Sequence, residues 1–132
     1  MFKAIDISTS GLVAQRTRMN TVAMNIANAN SVDSPEGGPY QRRSVIFSAG
    51  MNRADRKGQG VHVSEIRKAA EFRMEYDPKH PYANADGYVK MPAIDHIVEM
   101  VNGMEASRAY EANLAAIEMG KTMFSSSLRL LA

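Results

Sequence analysis

The stretch from Met19 to Ser34, MNTVAMNIANANSVDS, constrains this chain most, because it carries a helical apolar pattern straight into a polar stop. Looking back from it, Ile26, Met19, Leu12 and Ile5 recur every seven residues. Val22 and Phe2 fill the intermediate positions of a coiled-coil seam. Looking forward, Asn28, Asn30, Asp33, Ser34 and Pro35 halt the pattern. Asn and Asp bond to local backbone, and Pro cannot continue a helix. Between the two signals, Ala23, Asn25, Ala27, Asn28 and Ala29 are all short. Such a run lets a second backbone come close, with the Asn amides bridging main-chain groups across the contact. An ordinary helix with a frayed, Asn-rich end is the plainer reading of the same residues. A seam that begins so near Met1 still contrasts with the loose chain ends of compact monomers.

The periodicity predicts one helix from about Lys3 to Ala29, with Gly11 as its weak point. Ser8, Thr9 and Ser10 are poor interior residues, so the first ten residues are expected to be mobile unless a partner holds them. Asn is a poor helix former, and two within one turn cost stability unless their amides are used. A local cap accounts for Asn28 but leaves Asn25 without a role. Asn25 is therefore expected to bond to another helix, with Asn113 as the first candidate.

From Asn30 to Pro39 the chain turns to loop composition. The middle, Tyr40 to Met91, has strand character. Val45, Ile46 and Phe47 lie in Tyr40–Ser48, Val61 and Val63 alternate, and Phe72, Met74 and Tyr76 alternate with Arg73 and Glu75. The run AGMNRADRKGQG reads as a loop, Ala69–Glu71 as a turn, and Asp77–Gly87 as an irregular connection. Two or three short antiparallel strands are expected, leaning on a helix because a lone hairpin is marginal.

From Pro92 to Leu131 the pattern is helical again, with Pro92 in the first turn and Asp95 and Glu99 complementing the positive end of the dipole. Ile94, Ile97, Val101 and Met104 form one apolar stripe. Tyr110, Ile117, Phe124 and Leu131 form another at seven-residue spacing, joined by Leu114 and Leu128. The stripes are out of phase, which predicts two partners: the first half covering the small sheet, the second pairing with the N-terminal helix. Gly120 sits where close packing would use it. The fold class expected is mainly α with a small β insertion, its long terminal helices pairing as a coiled-coil hairpin. The segments are 1–34, 35–91 and 92–132.

Chemistry is thin. His62, His80 and His96 are scattered without metal-ligand spacing, and Gly58-Gln59-Gly60 is only a fragment of a phosphate loop. Ser125–Ser127 lie in no nucleophile-elbow context. The chain reads as a non-enzyme with no cofactor and no metal, its methionines serving as adaptable packing. With no cysteine there is no disulfide or thiolate chemistry. No apolar run reaches the length of a membrane span, and MFKAIDIST is no secretory signal. The net charge of +2 is small, and the basic residues Arg42, Arg43, Arg53, Arg56, Lys57, Arg67 and Lys68 spread over strands and loops. They read as a solvated surface rather than a nucleic-acid stripe.

Two terminal helices flanking a strand-rich insertion resemble the axial proteins of the bacterial flagellum. Asn25-Ile26-Ala27-Asn28 followed by Asn30-Ser31 is similar to the N-terminal signature of flagellar rod and hook proteins, and Gln15, Arg18 and Asn20 fit it. The second half resembles the proximal-rod branch of that family. The matching stretches are Asp86-Gly87-Tyr88-Val89-Lys90-Met91-Pro92, Glu99-Met100-Val101 and Ala106-Ser107-Arg108-Ala109-Tyr110-Glu111-Ala112-Asn113. His80-Pro81 and Gly37-Gly38-Pro39-Tyr40 also match, whereas Tyr82, Asn84 and Ser31 depart from the family's usual residues.

The resemblance implies a structural rod subunit, exported by the flagellar type III apparatus without a cleaved signal and lodged in the periplasm-spanning rod of the basal body. Its implied partners are other rod proteins and further copies of itself, with basal-body ring and export-gate proteins possible. Neither nucleic acid nor direct membrane insertion is implied. The implied interface comprises Ile5, Leu12, Met19, Val22, Asn25, Ile26 and Asn28 on the first helix. On the second it comprises Arg108, Tyr110, Asn113, Leu114, Ile117, Phe124, Leu128 and Leu131. A soluble helical adaptor is the alternative reading of the same seams, and a basic nucleic-acid-binding module a weaker third.

Overall fold

The computed structural model describes residues 2–33, 37–50 and 60–131, the side chains of Phe2, Leu130 and Leu131 excepted. Of the residues singled out above, Ser34, Pro35, Arg53, Arg56, Lys57, Gly58, Gln59 and the side chains of Phe2 and Leu131 lie outside the described set. Helix α1 (Phe2–Ala27) is followed by strands β1 (Arg42–Ala49), β2 (Val61–Ala69), β3 (Phe72–Tyr76) and β4 (Tyr88–Pro92), then helix α2 (His96–Leu131).

The start of α1 is held within the chain. Ser10, a poor helix interior residue, donates its hydroxyl to the Ile7 carbonyl at 2.6 Å and accepts the Val61 N–H at 3.0 Å. Gly60 lies against this turn with φ of 111°, and any Cβ there would run into Ser10 Oγ. At its other end α1 stops two residues short of the expected Ala29. The Asn28 amide donates back to the Met24 carbonyl at 2.9 Å, and Ser31 N–H bonds to the Asn28 carbonyl at 3.0 Å. Asn28 is thus a local stop.

Among the described residues four strands form, not two or three, in two separate antiparallel pairs, β1–β2 and β3–β4. In the first, the register slips between Ile46 and Phe47, leaving Ser64 as the extra residue, and its hydroxyl bonds to the Ile46 carbonyl at 3.2 Å. The fourth strand takes Pro92 out of the helix. Pro92 pairs with Phe72 at the end of β4, a place where a residue without an N–H is tolerated. The helix starts instead behind Asp95, whose carboxylate accepts the N–H of Ile97 at 2.8 Å and of Val98 at 3.3 Å.

α1 is the spine: α2 lies along one side of it, and β1 and β2 rest on another. This corrects the expectation that the first half of α2 covers the sheet. Ile94 is buried with Ala29 and Tyr40, but it precedes the helix. Ile97, Val101 and Met104 are 73%, 46% and 53% exposed. The second hairpin is tied down at its rim. Arg73 reaches Asn30 at 3.3 Å, and Tyr82 donates its hydroxyl to Asp33 at 2.9 Å. The Asp33 carboxylate, by accepting that bond and by its charge, holds the Tyr82 phenol above its ordinary range.

Two glycines test the packing of α1 on α2. A Cβ on Gly11 would sit 2.8 Å from Asn113 Oδ1, whereas one on Gly120 would sit 3.6 Å from Ile5 Cγ1, an ordinary contact. Gly120→Ala should therefore stabilise the fold by about 1 kcal/mol through helix propensity. Gly11→Ala should lower stability despite the same propensity gain. Urea unfolding of both variants checks this; stabilisation by both would mean the helices do not pack in this register.

Candidate functional site

The site is the seam between α1 and α2 and the polar clasp at its closed end. The helices run antiparallel: Gly120 stands by Ile5, Asn113 by Gly11, Arg18 bonds Glu105 at 3.0 Å, Gly103 stands by Val22, and Asn25 meets Glu99. On α1 the buried face is made by Gly11, Ala14, Thr21, Val22 and Asn25, and on α2 by Glu99 and Ala106, with Gly103 half-buried beside Val22. Small residues on both sides let the two backbones approach. The heptad residues Ile5, Leu12, Met19 and Ile26 are only half-buried.

At the clasp, Asn25 is 1% exposed and all its hydrogen-bonding capacity is used. Its amide donates to the Arg43 carbonyl at 2.8 Å and to Glu99 Oε2 at 2.9 Å. Its carbonyl oxygen accepts the Arg43 N–H at 2.9 Å and the Tyr40 hydroxyl at 3.1 Å. Glu99 is equally buried, and its other oxygen, Oε1, accepts Arg42 Nε at 2.9 Å and Nη2 at 2.6 Å. One amide and one carboxylate therefore join α1, β1 and α2. A small cavity of mixed lining, with Arg18, Thr21 and Asn102 beside Val22, Val45 and Phe47, adjoins it.

Asn25 thus bonds across to the other helix as expected, but through Glu99. Asn113 lies farther along the seam, donating to its own Ala109 carbonyl at 2.8 Å. The antiparallel register is the reason: it sets Asn113 opposite Gly11. Tyr110 and Ile117 are half-buried, whereas Arg108 and Leu114 are exposed, Leu114 by 42%. Phe124, at the spacing of Tyr110 and Ile117, and Leu128, at that of Leu114, stand 39% and 51% exposed. Glu99, Arg42 and the Tyr40 hydroxyl were not foreseen as seam residues. An acid between Val98 and Met100 carries no local sign of burial, and only the Asn25 requirement hinted at a partner. Among the described residues no His, Cys, Asp and Glu cluster could hold a metal.

Asn25→Leu should destabilise the chain by about 3 kcal/mol or more. It strips partners from Glu99, Tyr40 and the Arg43 peptide groups, at about 1–3 kcal/mol for each buried group left unsatisfied. Asn28→Ala, with only local bonds, should cost about 1 kcal/mol. Denaturant unfolding compares them; equal losses would show that the clasp contributes no more than a helix stop.

The two ends of the chain match two family descriptions. Residues 5–33 match "Flagella basal body rod protein", and residues 85–130 match "Flagellar basal body rod FlgEFG protein C-terminal". The matched segments take in most of α1 with its stop, and β4 with α2. Among curated proteins, the flagellar basal-body rod protein FlgC of Aquifex aeolicus is 46% identical over 124 residues, covering 94% of this chain and 92% of its own. FlgC of Borreliella burgdorferi is 38% identical over 148 residues, covering 99% and 97%. FlgC of Salmonella typhimurium is 40% identical over 130 residues, covering 98% and 97%. With identity at this level spread over nearly the whole of both chains, this protein belongs to the FlgC family of flagellar basal-body rod proteins.

Proposed function

We propose that this chain, a structural subunit of the flagellar basal-body rod and not an enzyme, is built into the proximal rod through its paired terminal helices. One observation carries the reading. α2 is apolar on two faces, and α1 covers only one of them. Ile97, Val101, Met104, Met119 and Met123 point away from the seam and are 73%, 46%, 53%, 62% and 63% exposed. A surface of that kind marks an interaction site. Phe124 and Leu128, 39% and 51% exposed, add a further partly exposed apolar stretch toward the end of α2.

The partners that fit are other rod proteins and further copies of this chain, whose helices would bury these faces on several sides in a cylinder. The coiled-coil packing expected of the terminal helices then extends to contacts between subunits. There the half-exposed ridge Ile5, Leu12, Met19, Ile26 is available. In that position the subunit passes torque along the shaft. Contact with basal-body rings or the export gate, and type III export without a cleaved signal, accompany the same reading.

Leu114→Asp and Phe124→Asp separate assembly from folding, because both side chains are already partly exposed in the subunit. Each variant should fold with stability within about 1 kcal/mol of the parent, yet abolish rod completion. A buried, unpaired carboxylate costs several kcal/mol at a closed interface. Purified basal bodies and swimming, scored in cells that lack the native gene, give the readout. Full motility with either variant would exclude this stretch of α2 from the rod interface.

A further inference from the structure

The outward face of α2 has an internal symmetry that the rod reading does not use. Ile97, Arg108 and Met119 are spaced by eleven residues, as are Val101, Ala112 and Met123. An 11-residue spacing keeps side chains on one face of a nearly straight helix. About the point between Glu111 and Ala112 the methionines mirror one another, Met100 with Met123 and Met104 with Met119, while Ala112 and Ala115 stand opposite Glu111 and Arg108. All four methionines are exposed, by 53% to 63%.

We propose that this face binds the same face of a second copy of this chain, antiparallel, about a two-fold axis between Glu111 and Ala112. That alignment sets Met104 level with Met119 of the second copy and Met100 level with its Met123. The flexible, polarisable thioethers repack easily against one another. Ala112 and Ala115 lie near the centre, level with Glu111 and Arg108 of the second copy, and their short side chains leave room for these longer ones. Charge selects the direction. Arg108 falls between Glu111 and Glu118 of the second copy, twice by symmetry, whereas a parallel in-register pair would put Arg108 against Arg108. Arg108, Glu111 and Glu118 are all exposed in the subunit and free to make these contacts.

The contact strip is about 45 Å long and about 10 Å wide on each chain, at the low end for specific interfaces. The dimer is therefore weak, with dissociation in the micromolar range. An isologous pair closes on itself, so it occupies the face that a neighbour would cover in a shaft. The dimer and incorporation exclude each other. That last consequence rests on the rod reading, but the dimer does not.

The chain has no cysteine, which makes the test direct. Light scattering of the purified full chain across 1–100 µM should show a monomer passing to a dimer. Under dioxygen, Ala112→Cys should form a disulfide-linked dimer at least tenfold faster than Asp86→Cys, an exposed control on the far hairpin. Arg108→Glu should weaken the dimer at least tenfold, and adding Glu111→Arg and Glu118→Arg should restore it. A chain that stays monomeric at every concentration overturns the proposal. So does equal cross-linking of the two cysteine variants, or cross-linking of Ala112→Cys only inside isolated basal bodies. None of these outcomes bears on whether the subunit belongs to the rod, which motility and basal-body composition decide separately.

Discussion

A carboxylate with 1% exposure has to be fully bonded or the structure around it fails, and Glu99 is such a group. One oxygen takes two bonds from Arg42 and the other takes the Asn25 amide. Those partners come from β1 and α1, so satisfying one side chain of α2 fixes three elements against one another. Asn25 then satisfies the Arg43 peptide groups, which anchors the start of β1 at the same place. An apolar residue at either position would leave several groups stranded. The clasp therefore specifies the register of the hairpin, whereas the few buried apolar residues cannot. Ala14, Val22, Ala29, Tyr40, Val89, Ile94 and Ala106 are mostly small and scattered along the fold.

The division of labour on α1 follows from its residue sizes. Gly11, Ala14 and Thr21 are too short to build a thick core, but they admit α2 on one side and the β1–β2 pair on the other. Ser10 then serves as a polar rivet at the open end, as Asn25 does at the closed end. α1 spans 26 residues and α2 spans 36, so in the antiparallel register the last turns of α2 run past the start of α1. An exposed Phe124 or Leu128 at those turns is a consequence of length, and a neighbour in an assembly is the natural remedy.

The second hairpin is a lighter attachment. It joins the rest through Ile94 under Tyr40, through Arg73 on Asn30 and through Tyr82 on Asp33. Ring contact between Tyr76 and Tyr88, at 5.2 Å between centroids, and Lys90 over Phe72 at 4.2 Å, hold it together internally. Val89 and Pro92 of β4 are also fully buried, so apolar packing holds this hairpin along with the polar bonds at its rim.

Local chemistry was enough to read two terminal helices, the polar stop at Asn28, the strand character around Val45, Val61 and Met74, and the need of Asn25 for a partner. Period, turn residues and propensity act over a few positions, so a single chain displays them openly. Three things only the tertiary structure decided. Pro92 belongs to a strand because Phe72, twenty residues earlier, pairs with it. Asn25 bonds Glu99 rather than Asn113, because the register of an antiparallel helix pair depends on contacts distributed along its whole length. And of the two apolar stripes on α2, the half containing Ile97 and Met104 turns outward, since Gly103 and Ala106 beside Glu99 allow a closer approach of α1 than bulky side chains would. In each case the deciding interaction is non-local, and hydrophobic periodicity says which residues share a face but not which face is covered.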